Sequence, residues 1–194
     1  MMGLQEFHPA VVHFPIALVP VSVVADTIGT MTDEPRWSWM GRVLLTTAAG
    51  GAAAAATTGL IAQEEVRTSD QAHAMLVTHR TLNAGAGVVI MALAFGRRHR
   101  ERATWAEIAL GVFTVGMLTY SAWLGGRMVY EHGVGVKPAG GLRSDHETDV
   151  TALGPRGAAR QAAGDLAQGV RHLAEDTADG LVAPALRPSV ARQG

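Results

Sequence analysis

The chain has no cysteine among its 194 residues. That excludes disulfides, thiolate-held iron–sulfur clusters and c-type haem attached through Cys-x-x-Cys-His. Any metal or macrocycle must therefore be held by His, Met, carboxylate or backbone. Charge is scarce as well: 17% of residues are Asp, Glu, Lys or Arg against 48% hydrophobic, and the net charge is −1. The opening MMGLQEF carries Glu6 but no Lys or Arg, and no Ala-x-Ala site follows the first apolar run at the right place. A cleaved signal peptide is not expected, and the first apolar segment should stay in the membrane. No nucleophile–base set, phosphate loop or acidic pair stands out, so catalysis is not expected. Transport has little support, with no inverted repeat and no mid-depth acid to relay protons.

What the chain does have is long apolar runs. Four windows, Ala10–Ile28, Trp39–Ala62, Ala74–Phe95 and Trp105–Leu124, are each about 20 residues long and apolar on every side. A hydrocarbon core of about 30 Å needs helices of that length, and helices without a polar face belong inside lipid. The expected fold is all-α: a four-helix transmembrane bundle over residues 1–136. A linker (137–155) and an amphipathic tail (156–194) follow.

Basic residues orient such a bundle. The third connection holds Arg97, Arg98, Arg100 and Arg102, and the first holds Arg36 and Arg42 beside Asp33 and Glu34, whereas the second has Arg67 among acids. The first and third connections are thus expected in the cytoplasm, with both termini on the outer, periplasmic side of a bacterial inner membrane. Trp37, Trp39 and Trp105 then mark the inner interface, and Tyr120, Trp123 and Tyr130 the outer one. With no outer basic cluster, nucleic acid is not an expected partner.

On this topology His8, His13, His73, His79 and His132 gather at the outer end, while His99 sits among the arginines and His146 and His172 in the tail. Imidazoles from separate helices at matching depth are what a b-type haem, or a chlorin, requires for axial ligation. His13 and His79 are the expected axial pair, with His132 as substitute; Pro9 and Pro15 are tolerated in a first turn and His13 is expected to point inward. His79 and Asn83 share a helix face that Gly87 continues. Arg80 and Arg127 are placed to pair with propionates or to snorkel to water, and Met75 and Met128 are alternative ligands or simply core. The same histidines also suit a plainer role, hydrogen bonding at the interface. A zinc site built from His8, His132 and Glu131 is the competing metal chemistry, without an HExxH spacing to support it. Gly51, Ala55 and Gly59 recur every fourth residue in the second helix, which lets a neighbouring backbone approach closely.

The segments HPAVVHFPIAL (8–18), HRTLN (79–83) and WLGGRMVYEHGVGV (123–136) resemble a family of uncharacterised bacterial four-helix membrane proteins of unknown function. The resemblance spans about residues 7–136. It implies four transmembrane helices and makes His8, His13, His79 and His132 the pattern histidines, with His73 an addition. It also implies redox company, since such proteins occur alongside cytochrome modules, but it supplies no activity. Arg127 departs from the pattern, standing where an acidic or variable residue is expected.

In the tail, Leu166, Val170, Leu173, Thr177 and Leu181 form one narrow apolar stripe on a charged helix weakened by four glycines. A stripe so narrow and acid-flanked suits a protein groove better than a lipid surface, so the tail is expected to dock on a partner complex. Two readings result. One is a non-catalytic subunit of a membrane electron-transfer assembly holding haem b. The other is a cofactor-free accessory subunit of a respiratory or photosynthetic complex. If His79 is axial, His79→Ala should abolish the haem spectrum while leaving folding and insertion largely intact.

Overall fold

The computed structural model describes residues 3–143 and 150–186, and within them it is helical almost throughout. α1 (Phe7–Val11) and α2 (His13–Thr32) form one broken span; α3 (Pro35–Glu65), α4 (Asp70–Gly96) and α5 (Trp105–His132) follow, and α6 (Val150–Ala178) lies beyond the bundle. The four spans are Phe7–Thr32, Pro35–Glu65, Asp70–His99 and Trp105–His132, each long and apolar enough to cross a membrane. At 1.5 Å per residue, α3 is about 46 Å long; the first three spans overrun the expected windows at both ends and the fourth at its C-terminal end.

Local chemistry sets the boundaries. Pro15 has no N–H to offer the preceding turn, which loosens the span between α1 and α2, while Val12 keeps helical φ/ψ (−60°, −22°) and the span runs on. Asp33 takes the left-handed conformation (φ 59°) that ends α2, and Pro35 starts α3 at once. Ser69 caps α4 by accepting from Ala72 N–H. Thr104 and Glu107 cap α5 reciprocally, a capping box that satisfies two orphan donors. Gly133 (φ 64°) closes α5.

The helices run up and down in a ring, α2 beside α3, α3 beside α4, α4 beside α5, and α5 back against α2. Their inner faces meet in an apolar layer of Val19, Leu45, Ala48, Ala86, Ile90, Leu93, Ala94 and Leu118. Outward lie Phe14, Val24, Val88, Phe95, Val112 and Phe113, all more than half exposed to the bundle's surroundings. Apolar side chains turned outward all around belong against lipid rather than water.

Below that layer, at what we call the arginine end, sits the group that joins three of the four spans. Arg97 follows α4 and is 1% exposed; its Nη2 donates to Asp26 Oδ1 on α2 (2.5 Å) and to the Ser38 carbonyl on α3 (3.3 Å). Counted from the sequence as a loop charge, it is instead the largest fully buried side chain among the described residues. Two glycines let the pair form. A Cβ at Gly41 would strike the Asp26 carboxylate, and one at Gly29 would lie 2.5 Å from Ser38 Oγ. Around the rim, Arg102 pairs with Asp33, Arg100 with Glu107 (3.0 Å), and Thr30 donates to the Ala103 carbonyl (3.1 Å), lacing the first and third connections together.

Breaking a buried pair from one side leaves an uncompensated charge, at a cost of about 3–5 kcal/mol, whereas replacing both members by apolar groups is often close to neutral. Arg97→Met should destabilise the bundle by that amount in detergent-titrated unfolding. Asp26→Leu with Arg97→Met should recover most of the loss.

Candidate functional site

At the opposite, histidine end, α1, α3, α4 and α5 meet around two imidazoles. The small-residue stripe of α3 makes room for the first. A Cβ at Gly51 would meet Phe14 Cβ at 2.7 Å, and one at Gly59 would meet His8 Cε1 at 3.0 Å. Between them, the Ala55 carbonyl accepts from His8 Nδ1–H at 3.0 Å. The close approach read from residues 51, 55 and 59 is thus the seat of α1 and the start of α2.

His79 stands on the other side, its ring centroid 6.3 Å from that of His8 and its plane turned by 84°. Its Nδ1 lies 2.8 Å from the Ser121 carbonyl and 2.9 Å from Ser121 Oγ. A carbonyl can only accept, so Nδ1 carries the proton and Nε2 keeps its lone pair. That lone pair faces Asn83 Nδ2 at 3.0 Å; the amide also lies 2.9 Å from the His79 carbonyl and 2.8 Å from Ser121 Oγ, so its two protons are shared among three acceptors. Gly125 packs against the His79 ring, its Cβ position 3.4 Å from Cε1. Counting about 20 residues from Trp105 places the far edge of the hydrocarbon near residue 124, so this layer lies just inside it.

The other expected ligands are elsewhere. His13, not His8, was expected to face inward beside His79; the reverse holds, because the inward face of Pro15, Val19, Ser22 and Asp26 carried back seven residues reaches His8 and leaves His13 exposed on the outer side of α2. His73 is exposed on α4, six residues before His79. His132 ends α5, eleven residues or about 16 Å along the helix from Ser121. Its Nε2 is buried without a partner. Gly87 has nothing beside it, so the His79 stripe stops at Asn83. Met75 and Met128 are buried together in a second apolar cluster with Ala72, Leu124 and Val134.

Both arginines already have carboxylates. Arg127 forks onto Glu131 (2.8 and 2.6 Å) and lies 5.0 Å above the Trp123 ring. Arg80 donates to Gln63 Oε1 (3.0 Å) and to Asp176 Oδ2 (2.5 Å). Glu131 and His132 lie too far along α5 to join His8, and among the described residues no three His, Asp or Glu side chains converge on a metal position.

The haem fit follows from this packing. His79 Nδ1–H on a backbone carbonyl is the support an axial histidine needs, because it fixes the ring and leaves Nε2 to ligate. Yet Asn83 fills that lone pair, the two rings touch edge to face, and glycine backbones press on their far edges. A macrocycle between them would have to part α1 from α4. As packed, the layer does not fit a haem.

The Arg80–Asp176 pair belongs to a cap. Gly154 (φ 65°) breaks α6 and Pro155 starts its longer part. That part crosses the end of α3, where Gly169 comes so close that a Cβ would strike the Leu60 carbonyl, and Gln63 Nε2 donates to the Gly169 carbonyl (3.2 Å). His172 Nδ1 donates to Glu64 Oε1 (2.9 Å), and Ala185 N–H to Thr78 Oγ1 (2.9 Å). The face turned to the bundle is therefore Asp165, Gly169, His172 and Asp176, about 100° round the helix from the apolar stripe read from sequence. Val170 on that stripe stays 51% exposed, and Leu166 and Leu173 are half-buried. Within the described residues the tail packs on the chain's own bundle, through a face other than that stripe. Residues 144–149 of the linker, with His146, and 187–194 of the tail lie outside the described residues.

The spans, the apolar outer surface and the two polar layers define a four-helix integral membrane bundle with a helical cap. More particularly, the chain belongs to the family of predicted membrane proteins of unknown function DUF2231, whose model matches residues 5–138. No curated protein and no solved structure matches the chain.

A side chain at position 169 has no room against Leu60, and overpacking of this kind costs about 1–3 kcal/mol. Gly169→Val should release the cap, so that trypsin cleaves at Arg160 and Arg171 one to two orders of magnitude faster, roughly, while cleavage within the bundle stays unchanged.

Proposed function

We propose that this protein is a cofactor-free accessory subunit of a bacterial membrane assembly, and that its histidine layer is a clamp between helices rather than a ligand set. One observation carries this reading. Both nitrogens of His79 and Nδ1 of His8 are spent on interhelical or local hydrogen bonds, within a packing that glycines hold tight against the rings. Buried imidazoles used in this way stabilise a bundle, since each satisfied bond also removes an orphan group from a medium that cannot solvate it. The placement of the basic first and third connections supports an orientation with that end in the cytoplasm and both termini outside the inner membrane. The cap supports an assembly role: its bundle-facing side is occupied, while Val170, Val182 and Leu186 remain turned outward for a partner complex.

The second reading, an electron-transfer subunit holding haem b or a chlorin, is favoured by a different observation. The Nδ1–H of His79 is anchored on the Ser121 carbonyl, and release of Asn83 would leave Nε2 as a ligand. In that case α1 must move away from α4 when the macrocycle enters.

A reduced-minus-oxidised visible spectrum of the protein purified in mild detergent with its partners attached separates the two. The clamp reading expects a flat difference spectrum, and expects His79→Ala to destabilise the bundle by about 1–3 kcal/mol, because Asn83 and Ser121 lose their partner in a buried site. A sharp α-band with a Soret shift, lost in His79→Ala, overturns it in favour of the cytochrome.

A further inference from the structure

The charge pair at the arginine end is not fully matched by protein groups. Arg97 uses Nη2 on Asp26 and the Ser38 carbonyl, but its Nε and Nη1 are buried and meet no acceptor on the protein; Ser38 Oγ is also unpartnered. A guanidinium cannot escape this by losing its charge, and it carries five N–H donors in a rigid plane. Buried donors of this kind are satisfied in native proteins, by protein or by ordered water.

Beside Arg97 lies a cavity of about 10 Å³, with Ser22, Asp26, Glu107 and Thr114 among its lining groups and Val19, Ile90 and Leu93 closing its apolar side. That is the volume one water-sized molecule needs. The hydroxyl protons of Ser22 and Thr114 are committed to the Val19 and Leu110 carbonyls (2.8 Å each), so their oxygens present only lone pairs to the cavity. Glu107 is held by Arg100 and by Thr104. The cavity therefore has donors on one wall, from Arg97, and acceptors on the others, from Asp26 and the two hydroxyls. We propose that it is a binding site for one internal water, which accepts from Arg97 and donates to the Asp26 carboxylate or to Ser22 and Thr114. A neutral ligand suits the charges: Asp26 already balances Arg97, and Glu107 next to them would repel an anion.

The test uses the full chain, ¹⁵N-labelled at arginine, in lipid nanodiscs, with Arg97→Lys identifying the Arg97 Nε–H resonance. The expected result is a cross-peak between that proton and water which does not shift as chloride is raised. Absence of the cross-peak overturns the proposal; a chloride-dependent shift overturns it in favour of an anion site. Ser22→Val supplies an independent reading through its sign. Filling a dry cavity raises or preserves the melting temperature, which would count against the water, whereas displacing a bound water that Arg97 depends on lowers it.

Discussion

The pairing of Asp26 with Arg97 is the constraint on which the rest of the bundle rests. It draws the end of α4 beneath α2 and α3 at once, and the Ser38 carbonyl shares the same guanidinium nitrogen. Neither charge is tolerable in hydrocarbon alone, so the registers of three helices are fixed together or not at all. Gly29 and Gly41 are consequences of that demand, since any larger residue would occupy the space of the carboxylate or of Ser38. The capping box of α5 and the rim of ion pairs then close the same end.

Between the two ends the helices are joined by little more than shape. The layer from Val19 to Leu118 is apolar and small-to-medium in size, and lipid tails attract such surfaces as well as another helix does. Direction and partner choice must therefore come from the polar layers, one built on a charge pair and the other on His8, His79, Asn83 and Ser121. The second is neutral and lies near the interface, where its bonds cost less to assemble. The bundle thus has a stiff, charged floor and a hydrogen-bonded ceiling with a dry interval between them.

Much of this was legible in the sequence because membrane physics leaves few options. Twenty apolar residues bounded by charge can only span, and the four spans and the close approach at Gly51, Ala55 and Gly59 were readable, though not where each helix ends. The failures have particular causes. His8 and His13 exchange roles because the inward face of the first span runs through Pro15, Val19, Ser22 and Asp26; carried back seven residues it reaches His8, and it leaves His13, five residues further on, outside. Arg97 reads as one of four loop arginines; only its adjacency to the end of an apolar run, and a single Asp26 inside another, signalled a buried pair. The contact of the tail with the bundle was not legible in its stripe, since helix packing at Gly169 is governed by close backbone approach and by Asp176 and His172 finding partners, not by the most apolar line. Periodicity reports hydrophobicity, and this contact is made of small and polar groups.

Order of synthesis gives these ion pairs another meaning. Asp26 enters the bilayer 71 residues before Arg97 is made, and Arg80 enters 96 residues before Asp176. Each charge must be sheltered by the insertion machinery, or by water at the membrane surface, until its counterpart arrives. The first span therefore reaches its final packing only when the third is complete, because Asp26 lacks its guanidinium until then. The arginine of that third span in turn gains its carboxylate only when the cap settles. The helix α6 is then a late step in assembly, a latch that engages the ends of α3 and α4 once both are in place.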